Sequence, residues 1–156
     1  MRLTTRTNLA MRVLMFCAVN SGRLVRKVEI AQSCNASENH LAQVINLLST
    51  HGFIHTVRGR AGGLKLAHSP EKISVGKVMR VFERDLPVTE CFDRQTNTCP
   101  LIDACVFRDA LRQALNAFYG VLDDYTLASL THDNVALAQI LQISAPQMTS
   151  ACGARG

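Results

Sequence analysis

Midway along the chain the hydrophobic rhythm changes. Leu41, Val44, Ile45 and Leu48 recur at helical spacing, Gly52 follows, and from Phe53 the pattern becomes F-I-H-T-V-R-G-R-A-G-G-L-K-L. The first four residues fall on one helix face, and Gly52 stands where a left-handed residue ends a helix. β-Branched residues before G-R-A-G-G and the apolar–polar alternation of L-K-L-A-H after it then predict a hairpin with a basic tip. A helix that runs directly into a hairpin leaves few architectures open.

The residues upstream narrow them further. Thr4 or Thr5 can cap a helix that runs to about Asn20, where Ser21-Gly22 stops it. Lys27–Ser33 reads as a short second helix, with Val28, Ile30 and Ala31 as its apolar positions. C-N-A-S makes a turn, and Ser37 is the N-cap candidate of a third helix, Glu38 to about His51. Its capping box is incomplete, because His40 stands where Glu or Gln is wanted. Helix, short helix, turn, helix and hairpin is the order of a winged helix-turn-helix. The fold class expected is therefore mainly α with a β-hairpin wing.

This order carries a DNA-binding expectation. Ser37, Asn39, His40 and Gln43, with Asn35 before them, occupy the turn and first turns of the third helix, where side chains reach base edges in a major groove. Arg58 and Arg60 sit among the glycines of the wing and Lys65 follows, a composition suited to the minor groove and phosphates. The net charge of +5 and the pI near 9.1 agree with a polyanionic partner. Val13–Val19 is too short for a signal sequence core and reads as part of an amphipathic helix. No segment approaches the roughly 18 uninterrupted apolar residues of a membrane span, so a cytoplasmic location is expected and no membrane partner. No nucleophile–base pair, paired carboxylates or phosphate loop suggests an enzyme.

Pro70 closes the hairpin and Val75–Glu83 reads as another short helix. A long helix is expected from about Ala104 to Asp124, with Leu111, Leu115, Phe118, Leu122 and Tyr125 forming a broad apolar face. That face is wider than one small winged domain needs, which predicts a homodimer with two recognition helices on a palindromic site. Asp133–Ile143 reads as a last helix. The 156 residues thus divide into a DNA-binding domain (1–84), a cysteine loop (85–104), dimerisation helices (105–143) and a disordered tail (144–156).

Six cysteines are present, and three of them, Cys91, Cys99 and Cys105, lie at C-x7-C-x5-C in the loop. In a reducing compartment such thiols are expected to be free, metal-bound or redox-active. The spacing lacks the paired C-x2-4-C of structural zinc and matches no common ferredoxin pattern. Three soft thiolates on one loop remain compatible with an iron–sulfur cluster, zinc or a thiol switch. Cys17 lies on the apolar face of the first helix and Cys34 in the turn, both with structural roles expected; Cys152 is expected to have no fixed role.

Over residues 1–142 the chain resembles the winged-helix iron–sulfur repressor family that includes NsrR, RirA and IscR. The matching pieces are M-R-L-T, V-R-G-R-A-G-G-L-K-L, E-C-F followed by C-P-L-I-D-A-C, and A-L-N-A-F-Y-G-V-L-D-D-Y-T-L-A-S-L. They look most like the nitric-oxide-sensing NsrR branch. The resemblance implies that Cys91, Cys99 and Cys105 hold one iron–sulfur cluster per subunit, with 4Fe-4S the expected form and 2Fe-2S its alternative. It also implies a holo dimer that binds a palindromic operator until nitric oxide attacks the cluster. The family can complete the cluster with an Asp from the partner's first helix, and the matching position here is Asn8, a neutral and poorer ligand. Glu90, Asp93 and Asp103 are the other local oxygen donors. Asn at this position raises an iron-sensing, RirA-like alternative, and a metal-free thiol–disulfide sensor is the competing class.

Overall fold

The computed structural model describes residues 3–83, 88–93 and 95–142. The expected tail, with Cys152, lies outside the described residues, as do residues 84–87 and 94 around the cysteine loop.

Helix α1 (Thr5–Val19) is capped by Thr4, whose hydroxyl accepts from the Thr7 N–H at 3.2 Å. At its other end Asn20 donates its side-chain amide to the carbonyls of Phe16 (3.0 Å) and Leu141 (3.1 Å). Helix α2 (Lys27–Ser33) starts on an acidic cap, the Glu29 carboxylate accepting from the Arg26 N–H at 2.6 Å. Of its three expected apolar positions only Ile30 is buried; Ala31 packs at the core edge and Val28 is 42% exposed. Asn35 turns the chain in the left-handed region, φ +46°. Helix α3 (Glu38–Thr50) follows, and Ser37 precedes it without a side-chain capping bond.

Gly52 ends that unit at φ +73°. Strands β1 (Ile54–Val57) and β2 (Gly63–Leu66) then pair antiparallel, with Ile54 opposite Leu66 and Val57 opposite Gly63. Val25 adds a bridge on the outer edge, exchanging bonds of 2.9 and 2.8 Å with Leu64. Two glycines are required by packing here. A Cβ on Gly62 would lie 2.2 Å from the Val57 carbonyl oxygen, and one on Gly63 would lie 2.7 Å from that of Val25. Gly63 thus lets the Val25 segment close on the sheet.

Helix α4 (Val75–Glu83) leads to the cysteine loop, and α5 (Val106–Asp123) leads away from it. α5 starts two residues later than the periodicity suggests, because Cys105 serves as its N-cap. Three short elements escape the sequence reading: the 3₁₀ turns Pro70–Lys72 and Glu90–Phe92, and helix α6 (Leu127–Thr131). α6 is only five residues long and is fixed by reciprocal Thr126–Ser129 capping bonds, too short to show periodicity. α7 (Val135–Leu141) starts later than expected, after Asp133 in the left-handed region (φ +58°) and the Asn134 cap.

The core forms around α1. Val13, Leu14 and Phe16 meet Ile30, the α3 stripe, Ile54 and Leu64, and Leu127 and Leu141 return from the C-terminal helices to complete it. Burying each of these large side chains stabilises the fold by about 1.5–3 kcal/mol relative to exposure. The result is a helical body with one small hairpin, the winged helix-turn-helix expected. No helix of the described residues is long and apolar enough to cross a membrane.

Candidate DNA interface and thiol loop

The α3 stripe turns Leu41, Val44, Ile45 and Leu48 inward, and the opposite face is solvent-facing. Ser37, Asn39, His40 and Gln43 are all exposed there. Arg58 and Arg60 are exposed at the tip of the wing, and Lys65 is exposed on β2 opposite His55. Glu38, at the start of α3, is engaged by Lys27 at 3.0 Å, so it fastens α2 to α3. Arg12 fastens α1 to the turn, donating to the Cys34 carbonyl at 2.9 Å. Asn8 is exposed on α1 and lines a cleft of about 360 Å³ together with Arg12, Asn35, Ser37 and His40. Within one subunit, then, Asn8 neighbours Ser37 and His40, two of the residues expected to read DNA.

The cysteine loop is organised by its own polar side chains. A 3₁₀ turn, Glu90–Phe92, carries Cys91, whose Sγ lies 2.9 Å from the Thr89 hydroxyl. Asp93 accepts from the Gln95 N–H (2.9 Å) and the Thr96 hydroxyl (2.8 Å). Those bonds, the Gln95 one foremost, hold its carboxyl below the ordinary Asp range. Thr98 donates to Glu90 at 3.1 Å, and the Cys99 N–H to the Asn97 side-chain oxygen at 3.3 Å. At the far end the Cys105 sulfur accepts from the Arg108 N–H at 3.4 Å. The Arg108 side chain reaches back, its Nε donating to the Cys91 carbonyl at 3.2 Å.

Cys91, Cys99 and Cys105 are free and half-buried. As donors they fit an iron–sulfur cluster in kind: three soft sulfurs on one loop, two with a donor directed at or beside the sulfur. Among the described residues no three His, Cys, Asp or Glu side chains gather as a single metal ion requires. Of the oxygen donors, Glu90 and Asp93 already hold the loop together, while Asp103 is exposed. Cys17 and Cys34 are of another kind. Burial pushes the Cys17 thiol up to about 12 and raises that of Cys34, which keeps both as neutral core residues.

Around the loop the structure reveals partners that the sequence pattern did not single out. Glu83, at the end of α4, accepts from the Thr4 N–H (2.9 Å), the Thr4 hydroxyl (3.0 Å) and the Thr7 hydroxyl. Among the described residues Thr7 is the one fully buried polar side chain. Arg80 binds both carboxylate oxygens of Asp123 (2.5 and 2.6 Å) and stacks 4.7 Å from the Tyr119 ring centre, which fixes α5 to α4. Gly76 lets the helices meet, since a Cβ there would lie 2.1 Å from Asp123 Oδ1. None of α5's own residues is buried, and Val106 (80%), Phe107 (68%) and Val121 (59%) are largely exposed. The only sequence signal for Arg108 is its position three residues after Cys105, one turn along a helix.

Residues 3–133 match the Rrf2 family, described as "Iron-dependent Transcriptional regulator". The chain is similar to the HTH-type transcriptional regulator NsrR of Geobacillus kaustophilus, with 41% identity over 143 residues, 91% of this chain and 97% of the relative. It is also similar to NsrR of Bacillus subtilis, with 38% identity over 144 residues, 92% of this chain and 99% of the relative. Among solved structures, CymR, the global cysteine regulator of B. subtilis, superposes with a TM-score of 0.68 at 26% identity. That superposition covers 84% of this chain and 96% of CymR. The chain belongs to the Rrf2 family of winged-helix, DNA-binding transcriptional regulators.

Proposed function

We propose that this regulator is a homodimeric repressor whose operator affinity is set by an iron–sulfur cluster, with nitric oxide as its signal. The observation that carries the reading is the loop itself. Three free thiols, Cys91, Cys99 and Cys105, stand on one segment beside an uncovered apolar helix, in a chain akin to proteins named NsrR. Those cysteines would hold the cluster, with 4Fe-4S the form proposed. Asn8 of the partner subunit would be the fourth ligand. Bound there, the cluster would supply iron open to a small diatomic molecule.

The remaining parts are the chain's own. Ser37, Asn39, His40 and Gln43 would read the major groove, while Arg58, Arg60 and Lys65 would engage the minor groove and phosphates. The face of Leu111, Leu115, Phe118 and Leu122 on α5 would be covered by a second copy, giving a two-fold symmetric reader of a palindromic operator. We assign residues 1–84 to DNA binding, 85–104 to the cluster and 105–143 to dimerisation.

Two alternatives each have an observation in their favour. The family description "Iron-dependent Transcriptional regulator" favours iron supply as the signal. The likeness to CymR, whose Staphylococcus aureus counterpart is also known in an oxidized form, favours a metal-free switch in which two of the loop cysteines pair on oxidation. Strictly anaerobic purification with iron and acid-labile sulfide analysis separates cluster from thiol switch. Operator binding of the holo protein is then followed during nitric oxide addition and, separately, iron chelation. Loss of binding at stoichiometric nitric oxide is expected; iron-free protein that still switches would sink the cluster reading, and release by chelation alone would favour iron sensing.

A further inference from the structure

We propose that Arg108 is the positioning residue of the thiol loop, closing it between Cys91 and Cys105 and setting a fixed positive charge at the Cys91 end of the loop. The inference rests on the cluster reading above and adds to it a residue outside the ligand set. Arg108 is the third residue of α5, counting from the cap. A cation is electrostatically disfavoured in the first turn of an 18-residue helix, where the unpaired N–H groups already present positive charge. An acid is the favoured residue there, and the neighbouring Asp109 satisfies that preference while pairing with Arg112. Arg108 has no such pairing with a carboxylate among the described residues. Its side chain instead turns back along the loop.

The two contacts of Arg108 have different consequences. The backbone N–H on the Cys105 sulfur fixes that ligand to the helix start. The guanidinium Nε on the Cys91 carbonyl spans 17 residues of chain and joins the loop's two ends. Holding both ends lowers the entropy that a metal site would otherwise have to overcome in gathering its ligands. The rest of the guanidinium keeps its positive charge at the Cys91 end of the loop, where it would stabilise the reduced form of a cluster held there relative to the oxidised one.

The test compares anaerobically reconstituted wild type with R108Q and R108K. Iron content, the rate of iron loss to a ferrous chelator and the cluster reduction potential are measured without DNA. R108Q is expected to lose iron about 10-fold faster, the lower end of what outer-shell partners contribute to metal affinity, and to shift the potential to more negative values. R108K keeps the charge but not the forked geometry, so it should lose iron faster while its potential stays near wild type. Should R108Q fail to load, R108K alone decides, by the same pair of readouts. Wild-type kinetics and potential in both variants would overturn the role of Arg108 and leave the cluster reading standing. A wild type that takes up no iron would overturn both.

Discussion

Replacing Thr7 by valine removes a single buried hydroxyl and leaves the shape of the side chain almost unchanged. In the native fold Thr7 is fully buried and its hydroxyl meets the Glu83 carboxylate, which also accepts from the N–H and hydroxyl of Thr4. A hydrogen bond to a charged acceptor contributes about 1.5–3 kcal/mol. Both residues are β-branched, so helix propensity scarcely changes and no cavity opens. The new methyl displaces a donor from Glu83, but two donors from Thr4 remain, so the carboxylate is not orphaned. The expected loss is therefore near the lower middle of the range, about 2 kcal/mol. For a domain of this size that lowers Tm by about 4–8 °C. Thermal and urea unfolding followed by circular dichroism, at one protein concentration, measure it; the urea slope should not change. The same substitution in a Glu83→Ala background should cost much less, because the shared contact is already gone. Equal losses in the two backgrounds, or a Tm within about 1 °C of wild type, would refute the reasoning.

Two further outcomes follow from the charged contacts. Arg60→Ala should weaken operator and unrelated DNA about equally and reduce the salt slope by about 1, read from binding at several salt concentrations. Unchanged affinity would remove the wing from the interface. Asp123→Asn should destabilise α5 against α4 in a pH-dependent way. The Arg80 hydrogen bonds hold the Asp123 carboxyl below its ordinary value of 3.8, so their stabilisation is present at neutral pH and is lost as pH falls through the lowered folded value. The gap in Tm between wild type and Asp123→Asn should be open at pH 7 and close in that acid range; a gap independent of pH would contradict the pairing.

The parts of the fold that were legible in the sequence are those with a repeating physical signal. The α3 stripe, the left-handed Gly52 and the glycine-rich turn of the wing each mark their element, and the helix-turn-helix order follows from them. Elements without repetition were not legible. α6 is held by a capping pair and by the Leu127 N–H, which bonds the Ile73 carbonyl at 2.8 Å across more than fifty positions of chain. The candidate site divides in the same way. Cysteine spacing and the polar side chains along the start of α3 pick out the residues that would meet iron and DNA. Glu83, Arg80 and Arg108 look like ordinary surface charges until the fold sets a threonine, an aspartate or a cysteine carbonyl opposite them.

The attachment of α5 has a mechanical consequence. At Asp123 the helix is bolted to α4 by two short ionic bonds, and just beyond it the Tyr125 carbonyl accepts from the Val75 N–H at 2.9 Å. At Cys105 it begins directly from the thiol loop. An 18-residue rod rises about 27 Å, so it is a lever with its fulcrum at Asp123 and its handle at the cysteines. A swing of only about 10° about that fulcrum carries the cysteine end through about 5 Å over such a length. A change that freed Cys105 from its neighbours would therefore act at the full length of the arm.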